Sequence, residues 1–144
     1  IENTGDAMSN QGPNSFKIDQ AATFQMVMVM DVAPKLKFGS QTDQECMKDG
    51  TPKWVAQVTA GFRTFGAPKF AVLAITIASH EDPRQGVQPG MPVELVGLEV
   101  GVMDKKIKDR DTGQEKIVGA QVYYRAEGIR PIGATAHKRG EQAA

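Results

Sequence analysis

Apolar and polar positions alternate with a period of two along five stretches of this chain, the pattern of strands with one face towards a core and one towards water. The clearest is Lys53–Arg63. There Trp54, Ala56, Val58, Ala60 and Phe62 share one face, while Lys53, Val55, Gln57, Thr59 and Arg63 share the other. Phe70–Ser79 follows after Thr64-Phe65-Gly66-Ala67-Pro68-Lys69, a link of hairpin length rich in turn formers. Upstream, Ala22–Val32 places Phe24, Met26, Met28 and Met30 on one face and Gln25, Val27, Val29 and Asp31 on the other. The methionine face reads as core, because methionine fills irregular gaps, with a plastic binding surface as the other reading.

Pro92–Met103 sets Glu94, Val96, Leu98, Val100 and Val102 on one side. Gly97 and Gly101 on the other predict a bulge or a sharp bend. Lys116–Gly128 sets Val118, Ala120, Val122, Tyr124 and Ala126 against Ile117, Gln121, Tyr123, Arg125 and Glu127. The connections are polar. Residues 35–52 end in the turn Asp49-Gly50-Thr51-Pro52, with one helical turn open to Asp43–Lys48. His80–Gly90 holds two prolines and two glycines, which forbid a stable helix there. Residues 1–20 read as a flexible arm and 132–144 as a flexible tail, flanking one domain at 21–131. Met8-Ser9-Asn10 reads as a natural start, which makes Ile1–Ala7 an appended remnant.

Five strands, glycine bends in the fourth and no helix to cover an open sheet predict an all-β fold, a small five-stranded antiparallel barrel of OB-fold type. That fold often carries a helix between its third and fourth strands, where this chain has the Pro/Gly loop. A small sandwich is the alternative.

A length of 144 residues suits one such domain. Seventeen basic and seventeen acidic side chains cancel, so a site for a polyanion must be a local patch. The single cysteine, Cys46, excludes an internal disulfide and a multi-cysteine zinc site, and reads as an ordinary surface thiol. No apolar run approaches the length of a membrane span and no signal peptide is visible, so a soluble cytoplasmic protein without membrane partners is expected.

Catalytic chemistry finds little support. His80 and His137 lie in no nucleophile motif. His80-Glu81-Asp82 are neighbours whose side chains diverge, and a solvated turn is the better reading than a metal site. Asp109-Arg110-Asp111-Thr112-Gly113 begins like a calcium loop but lacks its later pattern, and no phosphate-cradling glycine motif is present. No catalytic residue, metal or cofactor is therefore expected.

Binding has more material. Single-stranded nucleic acid sites combine cations for phosphates with aromatic platforms for unstacked bases. Lys53, Trp54, Arg63, Phe65 and Lys69 stand around the central hairpin. Lys105, Lys106, Lys108, Arg110, Lys116, Tyr123 and Arg125 stand in the fourth-to-fifth loop and the fifth strand. In an OB barrel both clusters fall on the usual binding face. Each has a plainer reading. Trp54 shares its face with apolar neighbours and suits a core, and the lysine loop, with Asp104, Asp109 and Asp111, suits a merely solvated turn. Phe65 sits in a loop where a core role is unnatural, and Tyr123 lies on a polar face, unlike Tyr124.

The run Asp49-Gly50-Thr51-Pro52-Lys53-Trp54-Val55-Ala56-Gln57-Val58, a Val/Ile-rich strand, a Pro-rich loop, Val93-Glu94-Leu95-Val96-Gly97-Leu98 and the closing Tyr124-Arg125-Ala126-Glu127-Gly128-Ile129-Arg130-Pro131 follow in that order. This succession resembles small proteins of actinobacterial integrating plasmids described as replication, integration and excision activators. In strand layout alone it is similar to single-strand-binding proteins. The resemblance implies a role in DNA maintenance of a mobile element and implies no catalytic residues. The expectation is a non-catalytic single-stranded DNA-binding protein, able to form homo-oligomers, serving replication, maintenance or transfer of a plasmid or phage-like element. The alternative is a protein-interaction or self-assembling β-barrel module without nucleic-acid binding, a reading that neutral net charge favours.

Overall fold

A computed structural model describes residues 12–132. The greater part of the expected arm and tail, including the proposed start at Met8 and His137, lies outside the described residues. In chain order the elements are β1 (Ser15–Lys17), α1 (Gln20–Thr23), β2 (Met26–Pro34), β3 (Lys53–Thr64), β4 (Ala67–Ala78), β5 (Met91–Val96), β6 (Glu99–Lys108), β7 (Glu115–Ala126) and β8 (Gly128–Pro131). The all-β class holds. Among the described residues the five-stranded barrel is corrected to eight strands in one sheet, ordered β1-β6-β7-β4-β3-β2-β5-β8. Every neighbouring pair is antiparallel except β4 and β7, which run parallel.

Strand breaks explain most of the difference. The predicted strand Pro92–Met103 divides into β5 and β6 at Gly97, whose φ of +63° lies in the left-handed region that glycine adopts without a Cβ clash. The predicted strand Lys116–Gly128 divides into β7 and β8 at Glu127. Only Gly97 and Leu98 separate β5 from β6, and only Glu127 separates β7 from β8, yet each pair is far apart in the strand order. A flat sheet cannot satisfy both connections, so this one curls into a half-barrel. The Glu127 N–H donates to Val96 O at 2.7 Å, and the Ile18 N–H donates to Leu98 O at 3.0 Å, tying the curl at the two breaks.

The stretch read as an arm contributes structure. β1 pairs with Glu99–Gly101 of β6. Asp19 caps α1, its Oδ1 accepting from the Ala21 N–H at 3.0 Å. The Gln20 side chain then mimics a strand edge: Nε2 donates to Val93 O at 2.9 Å and Oε1 accepts from the Leu95 N–H at 2.7 Å. Residues 43–48 make no helical turn. They are held by the bridges Leu36↔Gln44 and Cys46↔Pro52.

The core is built from Trp54, Ala56, Val58 and Ala60 of β3, Ile75 and Ile77 of β4, Val27 and Val29 of β2, Val93 and Leu95 of β5, with Phe24, Leu98 and Ala126. In β2 the expected faces are exchanged. Val27 and Val29 are buried, whereas Met26 and Met28 are half-buried on the other face and Met30 is exposed. The register shift between Val29 and Asp31 gives the reason. Strict alternation would send Asp31 inward after Val29. With Met30 inserted as a bulge, Asp31 faces out opposite Gln57 and Val32 packs against the core. The turn at Gly97 likewise resets the alternation of the predicted fourth strand, so Val93 and Leu95 are buried before it and Leu98, from the other side of the predicted strand, is buried after it.

Candidate nucleic-acid interface

Two hairpins reach beyond the core. β3 and β4 pair in unbroken register from Lys53↔Ala78 to Thr64↔Ala67, and β6 and β7 pair from Glu99↔Arg125 to Lys108↔Glu115. The hairpins meet only where Ile75–Ile77 of β4 pairs with Tyr124–Ala126 of β7. Cross-strand partners share a face. Following the register outward from Thr76↔Arg125 puts Tyr123 and Arg125 of β7, Thr76, Val72 and Phe70 of β4, and Lys53, Thr59 and Arg63 of β3 on the outer face. The core residues occupy the inner one.

Two aromatic rings lie on this outer face, each over a glycine of the neighbouring strand. Gly101 pairs with Tyr123, and the Tyr123 ring fills the space that a Cβ at 101 would need. Gly61 pairs with Phe70, whose ring edge would stand 3.1 Å from a Cβ at 61, with Met26 Cγ at 2.9 Å from it. A missing side chain on one strand lets the ring across from it lie down on the sheet. Phe70 remains 66% exposed, a large flat surface left open to solvent. The Arg125 guanidinium stands 5.5 Å from the Tyr123 ring centroid.

A groove of about 970 Å³ runs from Tyr123 and Arg125 to the β2–β3 connection. Lys35, Glu45, Lys53, Thr76, Tyr123 and Arg125 line it, with Asn14, Met103 and a second carboxylate, Asp104, beside them. Three of the residues singled out in the sequence, Lys53, Tyr123 and Arg125, thus come together. The groove cations are paired. Lys53 Nζ lies 2.7 Å from Glu45 Oε2, Lys35 Nζ lies 3.5 Å from Glu45 Oε1, and Arg125 is hydrogen-bonded to Glu99. The Lys53 hydrogen bond holds the Glu45 carboxyl below the usual carboxylate range. Arg125, followed by Ser15, does the same for Glu99.

The remaining predicted residues are distributed over the hairpin arms. Phe65 is fully exposed at the β3–β4 tip and has φ +52°, with Gly66 at +81°. Positive φ at both central residues is what a two-residue hairpin turn of type I′ requires, and for a phenylalanine it is strained. Arg63 Nη1 donates to Gly66 O at 2.6 Å and braces the turn. Lys69 pairs with Phe62 and so stands on the face opposite Arg63. Lys105, paired with Gly119, keeps the face of Tyr123. A register shift follows it, and Lys106, Lys108 and Arg110 lie beyond that shift towards the tip. Lys106 Nζ is 4.0 Å from a Glu115 carboxylate oxygen. Among the described residues no carboxylate lies within ion-pair distance of Arg63, Lys69, Lys105, Lys108 or Arg110.

Trp54 lies in the core, 7% exposed, with no ring face open for stacking. Its Nε1 donates to Ser79 O at 3.0 Å, and the Arg84 guanidinium, itself held by both oxygens of Asp82, covers the ring at 5.2 Å. Phe70 and Lys35 carry no site reading in the sequence. The signal for Phe70 was its position opposite Gly61 across an evenly registered hairpin. Lys35 becomes visible only when the connection folds back.

The other hollow of comparable size, about 1050 Å³, is lined by α1, β2, β5 and Arg130 and holds none of the predicted site residues. His80 Nε2 lies 3.3 Å from Thr51 Oγ1, whose hydroxyl donates to Asp49 at 2.8 Å, an exposed turn rather than a reactive cluster. Among the described residues no group of three or more His, Cys, Asp or Glu could hold a metal ion, and no helix is long and apolar enough to cross a membrane. No protein-family model matches this chain, and no curated protein matches it.

Proposed function

We propose that this protein binds single-stranded DNA without catalysis, along the outer face of β3, β4 and β7 and into the groove beside the β2–β3 connection. One observation carries the reading. Two aromatic rings, Phe70 and Tyr123, lie on one sheet face over glycines, with Lys53, Arg63 and Arg125 on that same face. Flat rings suit unstacked bases of any sequence, and flanking cations suit the phosphates between them. The pairing pattern supports an OB-like reading of the half-barrel. With the short β1 set aside and β5 with β6 and β7 with β8 each counted as one interrupted strand, the ladder has five strands with a parallel pair between the third and the fifth, and the face in question belongs to the second and third. A role in replication, maintenance or transfer of a plasmid or phage-like element rests on the family resemblance of the sequence.

The test is anisotropy of labelled oligo-dT against a duplex of equal length at low and moderate salt. Tighter binding to the single strand, weakening as salt rises, is the expected result. Equal and negligible binding to both would overturn the reading. It would favour the second one, a self-assembling module, which has its own observation. Ala67–Ala74 of β4 and Glu115–Tyr123 of β7 each present a strand edge with no β4–β7 pairing, beside the exposed apolar residues Val72, Ile117 and Val122.

A further inference from the structure

We propose that Lys35 and Lys53 form a phosphodiester subsite of the groove, and that the Glu45 carboxylate occupies this subsite in the free protein. The inference rests on the single-strand reading above and adds to it a site and a competitor. Glu45 sets one oxygen towards each lysine, Oε2 at 2.7 Å from Lys53 Nζ and Oε1 at 3.5 Å from Lys35 Nζ. A phosphodiester is also a monoanion with two free oxygens, so it can take the same two lysines. All three side chains are partly open to solvent, at 35% for Lys35, 31% for Glu45 and 25% for Lys53.

The Glu45 side chain is not what holds the connection in place. The Glu45 N–H donates to Lys35 O at 2.6 Å, and the Lys53 N–H donates to Glu45 O at 2.8 Å. Gln44 Nε2 also donates to Lys53 O at 2.8 Å. These bonds fix both lysines beside each other whatever the carboxylate does. They leave Glu45 free to swing into water when a phosphate arrives. Arg125 and Tyr123 line the same groove, so a strand whose base rests on Tyr123 passes its backbone over this pair.

Oligo-dT binding by Glu45→Gln, which removes the competing charge and keeps the shape, decides the matter. Binding about two- to fivefold tighter than wild type is expected, the scale of one exposed ion pair. Lys35→Ala should weaken binding and lower the salt slope by about 0.7. If wild type binds and Glu45→Gln binds no better while folded, the subsite is wrong and the single-strand reading stands. If neither binds, both fall. Should Glu45→Gln not fold, carbon-13 titration of Glu45 in the wild-type protein gives the answer. Its midpoint should rise when oligo-dT displaces it from its lysines, and an unmoved midpoint in the complex overturns the subsite.

Discussion

At the scale of single residues, burial separates side chains that alternation treats alike. Trp54 and Tyr123 were both aromatic candidates, but only Tyr123 keeps a ring on the outer face. Trp54→Ala should therefore cost about 3–5 kcal/mol of stability, read as a lowered urea midpoint. Tyr123→Ala and Phe70→Ala should instead weaken oligo-dT binding by about 1–3 kcal/mol each, with the salt slope nearly unchanged. Equal loss of stability in all three variants would refute the distinction. The carboxylates make a second prediction. Glu45, Asp49, Asp82 and Glu99 are all held below the usual carboxylate range, by Lys53, Thr51, Arg84 and Arg125 respectively. A depressed folded-state pKa adds stability that is complete above the unfolded value, near pH 4.3 for glutamate. That stability is lost as pH falls through the lower folded value. The thermal midpoint should be flat from about pH 7 to 5 and fall below about pH 4, and Glu99→Gln should soften the fall. A midpoint that drops between pH 7 and 5 would contradict this.

At the scale of elements, the strands with uniform alternation were legible and the interrupted ones were legible only in part. β3 was read to within one residue, because Trp54 to Phe62 alternate without a fault and both ends carry turn signals. Gly97 was seen as a bend, but its consequence, a reset of the inward face, depends on a positive φ that glycine permits without requiring. The bulge at Met30 carries no glycine or proline and left no mark in the pattern. β1, three residues long, is a strand only because β6 offers it an edge. The site was legible as residue types and not as an assembly. Lys53 and Arg125 could be named, but their carboxylate partners, Glu45 and Glu99, come from a loop and from the position opposite on the neighbouring strand β6, which only the register reveals. The β6–β7 arm shows what that costs. Lys105, Lys106 and Lys108 look equivalent in sequence, yet Lys106 has Glu115 beside it, and Lys105, opposite Gly119 ahead of the register shift, keeps the face of Tyr123. Lys105→Ala should lower the salt slope of oligo-dT binding by about 0.7. Lys106→Ala should lower it less. Identical slopes in both variants and wild type would exclude this arm from the phosphate path.

At the scale of the whole molecule, the curl of the sheet decides how much surface is left for partners. β4 and β7 touch over three registered pairs and then part, because β7 continues along β6 while β4 continues along β3. Two twelve-residue strands thereby keep long edges outside the core, and an edge of exposed Val72 and Phe70 carries only Lys69 as a charged guard. Such an edge invites pairing with a second copy. The same surface carries the Phe70 platform, so the two functional readings compete for it. Val72→Lys places a charge on the edge without touching the glycine beneath Phe70. If single-strand binding is the role of this face, the variant should bind oligo-dT at least as well as wild type, and sedimentation should show the same mass for both proteins. If the edge serves self-assembly, wild type should sediment as a concentration-dependent oligomer and Val72→Lys as a monomer. A wild-type oligomer that dissociates when oligo-dT is added would show both partners using one surface in turn.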